Sequence, residues 1–314
     1  MVDPHTPGTA RTRLAAAGAR AATETVFGTS SRRGDKVANV LFLALLLLGL
    51  ATALVALAAI IVWALFEGAP RLNLGVFTEG PSTLDPGGAG YRTAILGTIY
   101  VIGGVVLLIV PLGVGAAIYL EEYADRERWW NRVIEVNIQN LAGVPSIVYG
   151  ILGLAFIVRG PLSLGFVVAA GSLTLALLVL PTVIIAAREA IRAVPSSIRQ
   201  GALALGATQW QTIGRQVLPA AIPGILTGVI LAISRAIGEA APLLLVGAVT
   251  FATFNPSFFE GGYSALPVMI YNYAGRPQEE FRILAAAGII VMLALLLAMN
   301  SFAIWLRNRY EQKW

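Results

Sequence analysis

Six long apolar stretches leave this chain few folds to choose from. They lie near Val37 to Phe66, Ala94 to Leu120, Val133 to Val158, Leu164 to Ala187, Ala220 to Ala248 and Ile283 to Leu306. A bilayer core of about 30 Å needs roughly 20 consecutive apolar residues in a helix, and each stretch meets or approaches that length. Lipid offers no hydrogen bonds to a backbone, so segments of this kind must satisfy their own amides as helices. Charged residues make up only 12% of the 314, against roughly a quarter in ordinary soluble domains. The fold class is therefore an all-α polytopic membrane protein with six transmembrane helices.

Basic residues set the expected orientation. Arg126, Arg128 and Arg132 follow the second stretch, Arg188, Arg192, Arg199 and Arg215 follow the fourth, and Arg307, Arg309 and Lys313 follow the sixth. The intervening loops hold fewer, mainly Arg71, Arg92, Arg159, Arg276 and Arg282. The positive-inside rule then puts both termini in the cytoplasm, in agreement with an even number of spans. Residues 1–36, with Arg11, Arg13, Arg20, Arg32, Arg33 and Lys36, are expected to form a disordered or membrane-surface tail, since they lack the apolar region of a signal peptide. The membrane domain is expected over 37–306, and 307–314 as a second cytoplasmic tail.

The inventory excludes several chemistries. There is no cysteine and His5 is the only histidine, which removes thiolate zinc sites, His-ligated haem and a histidine general base. Lys36 and Lys313 are the only lysines, and neither follows the glycine spacing of a phosphate-cradling loop, so ATP chemistry would belong to a partner. The net charge of +5 sits at the ends of membrane segments and forms no patch interleaved with aromatics, so no nucleic-acid partner is expected; membrane lipid is. A membrane enzyme would have to draw its acid and base from Glu239, Glu135 or a few interfacial carboxylates.

Pro111, Pro145, Pro181, Pro223 and Pro242 lie inside the apolar stretches, where each is expected to bend a helix that is packed or lines a cavity. Glu67 to Tyr91 is rich in Gly and Pro and reads as an irregular outer loop. The later outer loop, Phe251 to Tyr273, holds many aromatics and the apolar run Ala265 to Ile270, readable as an interfacial anchor or as a gate. Glu135, Asn137, Gln139 and Asn140 open the third stretch and belong to the membrane interface or to an inner vestibule.

Between the fourth and fifth stretches, Gln200 to Pro219 reads QGALALGATQWQTIGRQVLP. Ser197 with Gln200, and Thr208 with Gln211, have capping-box spacing, so two short helices are expected on either side of Gly206. Pro219 suits the opening of the next span. Ala202, Ala204 and Leu205 would form a small exposed apolar face, suited to docking or to packing on adjacent spans. Farther along, Arg235 and Glu239 are four residues apart and able to pair on one helix face. Counted from Pro219, Arg235 lies about 24 Å along the helix, in the middle or outer half of the bilayer. Charge there costs about 2.5 to 3.5 kcal/mol on insertion scales, so the pair must face protein or water. Two roles stand: an ion pair that fixes packing, or a fork of donors offered by Arg235 to a passing oxyanion, with Glu239 promoting release.

The 200–219 segment resembles the EAA loop of ABC-importer permeases, whose pattern runs E-A-A, three residues, Gly, nine residues, then I-x-L-P. Ala202, Gly206, Leu218 and Pro219 fall on that pattern, while Gln200, Gly201 and Gln216 replace its Glu, first Ala and Ile. GGAGYRTAILGTIY (87–100), LAGVPSIVYGILGL (141–154) and TGVILAISRAIGEAAPLLLVGA (227–248) are similar to segments of phosphate-importer permeases, GEAAPLL to the PstA type more than to PstC. The resemblance implies a type I ABC importer permease fold with a MetI-like core over about 92–306 and a coupling loop over about 189–219, in a bacterial or archaeal inner membrane. It further implies that Gln200, Gly201, Ala202, Leu205, Gly206 and Ala207 meet an ATPase. The implied partners are a second permease of the PstC type, an ATPase dimer of the PstB type that carries the ATP and Mg, and an extracytoplasmic phosphate-binding protein of the PstS type. No cofactor is expected in this chain. A permease for sulfate or molybdate keeps the same fold; a self-sufficient anion channel or ion-coupled transporter would have no need of the coupling loop.

Overall fold

The structure, a computed structural model, describes residues 33–125, 127–248 and 252–310. Residues 1–32 of the expected N-terminal tail, Arg126, Phe251 and the end of the C-terminal tail lie outside the described residues. The chain divides into two compact units, one ending at Ile61 and the other beginning at Val62. The first unit is described from Arg33 and consists of the leading part of helix α1, Arg33–Gly68.

The second unit is helical among its described residues. The short helix α2 (Leu74–Thr78) precedes α3 (Arg92–Ile118), and a π turn over Tyr119–Tyr123 prolongs α3. Then come α4 (Trp129–Ala142), α5 (Ser146–Leu152) with a π turn to Val158, and α6 (Val168–Arg192). Two short helices, α7 (Ser196–Ala204) and α8 (Gln209–Thr212), lead through a third π turn into α9 (Leu218–Gly238). The remaining elements are α10 (Ala241–Leu245), α11 (Leu266–Ala274) and α12 (Glu279–Tyr310). Among the described residues, five continuous segments are long and apolar enough to cross a membrane: Val37–Arg71, Arg92–Tyr123, Val168–Arg192, Gln209–Gly238 and Glu279–Arg309.

The core is built on α6, with α3 against one side and α9 against another. Glycine permits the close approach. A Cβ on Gly113 of α3 would lie 2.7 Å from Val183 of α6, and one on Gly224 of α9 would lie 2.7 Å from Ala190. Small residues at helix contacts are how membrane helices gain van der Waals packing when lipid is as apolar as their own side chains. Val101, Ile109, Leu175, Val179, Ala232 and Ala236 are fully or almost fully buried there.

Two expected spans are broken. The third bends by 107° between Ala142 and Ser146, where Gly143 and Pro145 interrupt the backbone ladder. Pro145 disfavours a helical conformation in the residue before it, and the next helix starts directly after it. The fifth stops at Gly238, ten residues short of its expected end at Ala248, and Pro242 opens the separate helix α10. Thus Pro145 and Pro242 stand at helix starts, where a missing N–H is harmless, while Pro111, Pro181 and Pro223 lie inside helices.

The bent third segment nevertheless crosses as a whole. Ser172 donates to the Val101 carbonyl near the start of α6, Gly113 meets Val183 midway, and Arg192 reaches Glu121 at the far end. Residue numbers rise together along both helices, so α3 and α6 run parallel. The chain between them must return to the side on which α3 began, and only α4 and α5 are there to carry it.

On that starting side, the aromatic loop forms packed structure. The Leu266 amide donates to Thr98 Oγ1 at 2.9 Å, and Val268, Met269 and Tyr273 of α11 are buried. Tyr91 meets Tyr273 edge to face and Tyr273 stacks on Phe281. The apolar run Ala265–Ile270 is therefore spent largely on protein packing.

Candidate functional site

Residues 196–217, expected above to form a coupling loop, make a helical hairpin whose turn follows from its sequence. At the end of α7 the Gly206 amide donates to Leu203 O and the Ala207 amide to Ala202 O. This double bond pattern needs a left-handed residue at Gly206, and its φ is +85°. The Thr208–Gln211 capping box forms as the spacing predicts, with Thr208 Oγ1 accepting from the Gln211 amide and Gln211 Oε1 from the Thr208 amide. The Ser197–Gln200 box does not form, because Pro195 occupies the N-cap and Ser197 is already inside α7. Pro219 stands in the first turn of α9, as its placement suggests, but the π turn at Ile213–Val217 joins α8 to α9, so the apolar rod runs from Gln209 to Gly238.

Gln200, Gly201, Ala204, Leu205 and Gly206 are exposed, whereas Ala202 and Ala207 are half-buried. The apolar face therefore differs from the expected one. Ala202 turns partly inward, and Leu203 and Trp210 join Leu205, which is 92% exposed.

Arg235 and Glu239 do pair, Nε to Oε1 at 3.4 Å, but not along an unbroken helix. Glu239 has left the helix, with φ −83° and ψ 103°, and Arg235 occupies the last turn. A cation there offsets the negative end of the helix dipole. The break lies within the thickness of the bundle. Ala236 and Ile237 line one small void with Val101, Ile102 and Leu175, and Val101 is nine residues, about 14 Å, from the start of α3.

The short helix after the break packs on α5. A Cβ on Gly150 would lie 2.7 Å from Pro242 Cα, and Tyr149 is within electrostatic reach of Arg235. The LAGVPSIVYGILGL and GEAAPLLL segments, far apart in sequence, thus meet at the charged pair. Arg235 remains 40% exposed and Glu239 19%, so the guanidinium faces away from the packed core. The structure does not bring residues 200–207 to this pair; the continuous helix from Gln209 to Arg235 spans some 35 to 40 Å. That is longer than the distance counted from Pro219.

A charged cluster at the other end of the bundle escaped the sequence reading. Glu121 receives Arg188 at 3.7 Å and Arg192 at 3.0 Å, Glu135 receives Arg188 at 3.1 Å, and Glu122 receives Arg199 at 2.8 Å. Glu135 of the expected polar cluster therefore ties α4 to α6, while Asn137, Gln139 and Asn140 are exposed. The detectable signal was limited to the arginines: Arg188 and Arg192, four residues apart, share one face of α6, while Arg199 lies on the next helix, α7.

Residues 109–312 match the family model described as the binding-protein-dependent transport system inner membrane component. The chain is 34% identical over 280 residues to the phosphate transport system permease protein PstA of Yersinia pestis, covering 87% of this chain and 89% of that one. It is 30% identical over 297 residues to the probable ABC transporter permease protein YqgI of Bacillus subtilis, with 89% and 97% covered. Among solved structures, a bacterial alginate ABC transporter in complex with alginate pentasaccharide-bound periplasmic protein matches with TM-score 0.60 at 14% identity, covering 87% of this chain and 96% of that one. An inward-facing MetNI methionine ABC transporter matches with TM-score 0.56 at 14% identity, covering 70% and 95%. The solved structures agree in fold, and the family model with the two relatives leads to one conclusion: the chain belongs to the inner membrane components of binding-protein-dependent transport systems, the permease subunits of ABC importers.

Proposed function

We propose that this permease serves an ATP-driven importer of inorganic phosphate, forming the translocation path together with a second permease of the PstC type. The observation that carries the reading is a helix that ends inside the membrane with Arg235 in its last turn and Glu239 beyond it. Backbone that leaves a helix at membrane depth is tolerated where it is packed in protein or lines water. A partly exposed guanidinium there fits a polar cavity closed by the second subunit far better than it fits lipid. Arg235 offers planar donors to an oxyanion, and Glu239 competes for them, which keeps binding weak enough for release. Phosphate as the oxyanion is supported by the PstA-named relative, similar over most of both chains.

ATP and Mg reside on an ATPase dimer of the PstB type, docked on residues 196–212, and a PstS-type binding protein delivers the anion on the opposite side. Both termini then lie in the cytoplasm. Nucleotide and loaded binding protein bias one two-state element, so that closure of the ATPase opens the path outward and hydrolysis resets it.

Reconstitution with the second permease, ATPase and binding protein tests the reading. Phosphate-loaded binding protein is expected to stimulate ATP hydrolysis, and Arg235→Gln to lower uptake at least tenfold in an assembled complex. Stimulation by sulfate and not by phosphate overturns the substrate, and unchanged uptake by the variant removes Arg235 from the path.

A further inference from the structure

Glu122 holds both arms of the coupling hairpin. Its side chain receives Arg199 of α7 through Nε at 3.0 Å and through a terminal nitrogen at 2.8 Å. Its backbone carbonyl accepts Gln209 Nε2 of α8 at 2.7 Å. Arg199 also donates to Val194 O at 2.6 Å, just past the end of α6, and to Ile191 O at 2.8 Å in the last turn of α6. One carboxylate and one guanidinium thus join α3, α6 and α7, and the same acidic residue adds α8.

The neighbouring Glu121 does a different job. It pairs with Arg188 and Arg192 of α6, within the bundle. Adjacent residues diverge by about 100° around a helix, so the two carboxylates face different elements. Glu122 at 10% side-chain exposure and Arg199 at 22% are sheltered enough for a charge-assisted contact to persist, unlike an exposed surface pair.

The covalent route out of the hairpin leads only to α6 on one side and α9 on the other. Connection to α3 depends on noncovalent contacts at its π turn. We propose that Glu122 is a positioning residue that locks α7 and α8 onto the end of α3, so that force on the exposed Leu203, Leu205 and Trp210 face moves α3 together with α6. The transmission half of this proposal rests on the ABC permease reading; the lock itself does not.

Hydrogen exchange on the purified full chain tests the lock without any partner. Glu122→Ala is expected to speed exchange across 196–212 about tenfold, the effect of losing a hydrogen bond to a charged group, while interior amides of α6 keep wild-type rates. Glu122→Gln, which keeps size and loses charge, is expected to fall between. Wild-type exchange across 196–212 in Glu122→Ala overturns the lock, and so does acceleration spread equally over α6 and α9, which would mark general destabilisation. Glu189→Gln, whose carboxylate pairs only at 62% exposure, is expected to leave the hairpin rates unchanged.

In the reconstituted transporter, Glu122→Ala is expected to retain the ATPase and hydrolyse ATP while moving about tenfold less anion per ATP. A wild-type ratio overturns transmission through α3. Failure of the wild-type assembly to couple ATP to transport would sink the functional reading alone, since the exchange measurement stands apart from it.

Discussion

Tyr91 shows what a single polar atom does at the outer end of the bundle. Its ring is fully buried against Tyr273, and its hydroxyl donates to the Leu284 carbonyl at 3.0 Å. Burial first, and the neighbouring Tyr273 second, push its pKa well above the ordinary 10.0. Ionisation is therefore easier in the unfolded chain, and the contribution of Tyr91 to stability is complete below about pH 10 and is lost as pH rises above it. Tyr91→Phe is expected to lower stability by about 0.5–1.5 kcal/mol at pH 7 and to make it less sensitive above pH 10, as read from denaturation in detergent at both pH values. An equal alkaline slope in the variant would remove Tyr91 as the source. In sequence this residue was one aromatic in a loop expected to be irregular. Arg235 and Glu239 were legible because charge inside an apolar stretch is conspicuous. Glu121 and Glu122 were not, because their partners lie 71 and 77 residues away and local spacing carries no information about them.

At the scale of elements, hydropathy located the long helices but passed over two breaks. A window that averages apolar character sees 133–158 and 220–248 as continuous, since the residues beyond each break remain apolar. The local signals were present in Gly143-Val144-Pro145 and in the proline of GEAAP, where helix geometry is disfavoured before the ring. Packing then fixes the short helix beyond each break. Gly150 is pressed against the backbone of Pro242 and the side chain of Leu245, so a methyl group there forces apart α5 and α10. Alanine gains up to about 1 kcal/mol in helix propensity over glycine, but overpacking against a backbone atom costs about 1–3 kcal/mol. Gly150→Ala is therefore expected to lower the thermal midpoint. Gly115→Ala in α3, with open space at its Cβ, is expected to keep or raise it. The opposite order would show that α5 and α10 are not held by this contact. The turn of the hairpin, by contrast, was legible, because Gly206 and the Thr208–Gln211 box are local devices that act without tertiary help.

The path of the whole chain depends on whether α4 and α5 cross together or dip in and return. Taken alone, a 107° bend suits either. The ion pairs decide between them: Arg192 and Arg199, at and beyond the end of α6, reach Glu121 and Glu122 at the end of α3, so both ends lie on one side. A re-entrant α4 and α5 would deliver the start of α6 to that same side and its end to the other, tearing all of these contacts. The absence of cysteine from the chain makes the question directly measurable. Leu84, in the loop before α3, and Leu205, at the hairpin tip, are 93% and 92% exposed, so cysteines placed there should react without disturbing packing. A membrane-impermeant maleimide is expected to label Leu84→Cys only from outside the cell and Leu205→Cys only in inverted vesicles. Three crossings separate these positions if the bent segment spans, and two if it returns. Labelling of both from one side would therefore disprove the crossing of α4 and α5, and with it the docking of residues 196–212 on an ATPase opposite the side of anion delivery.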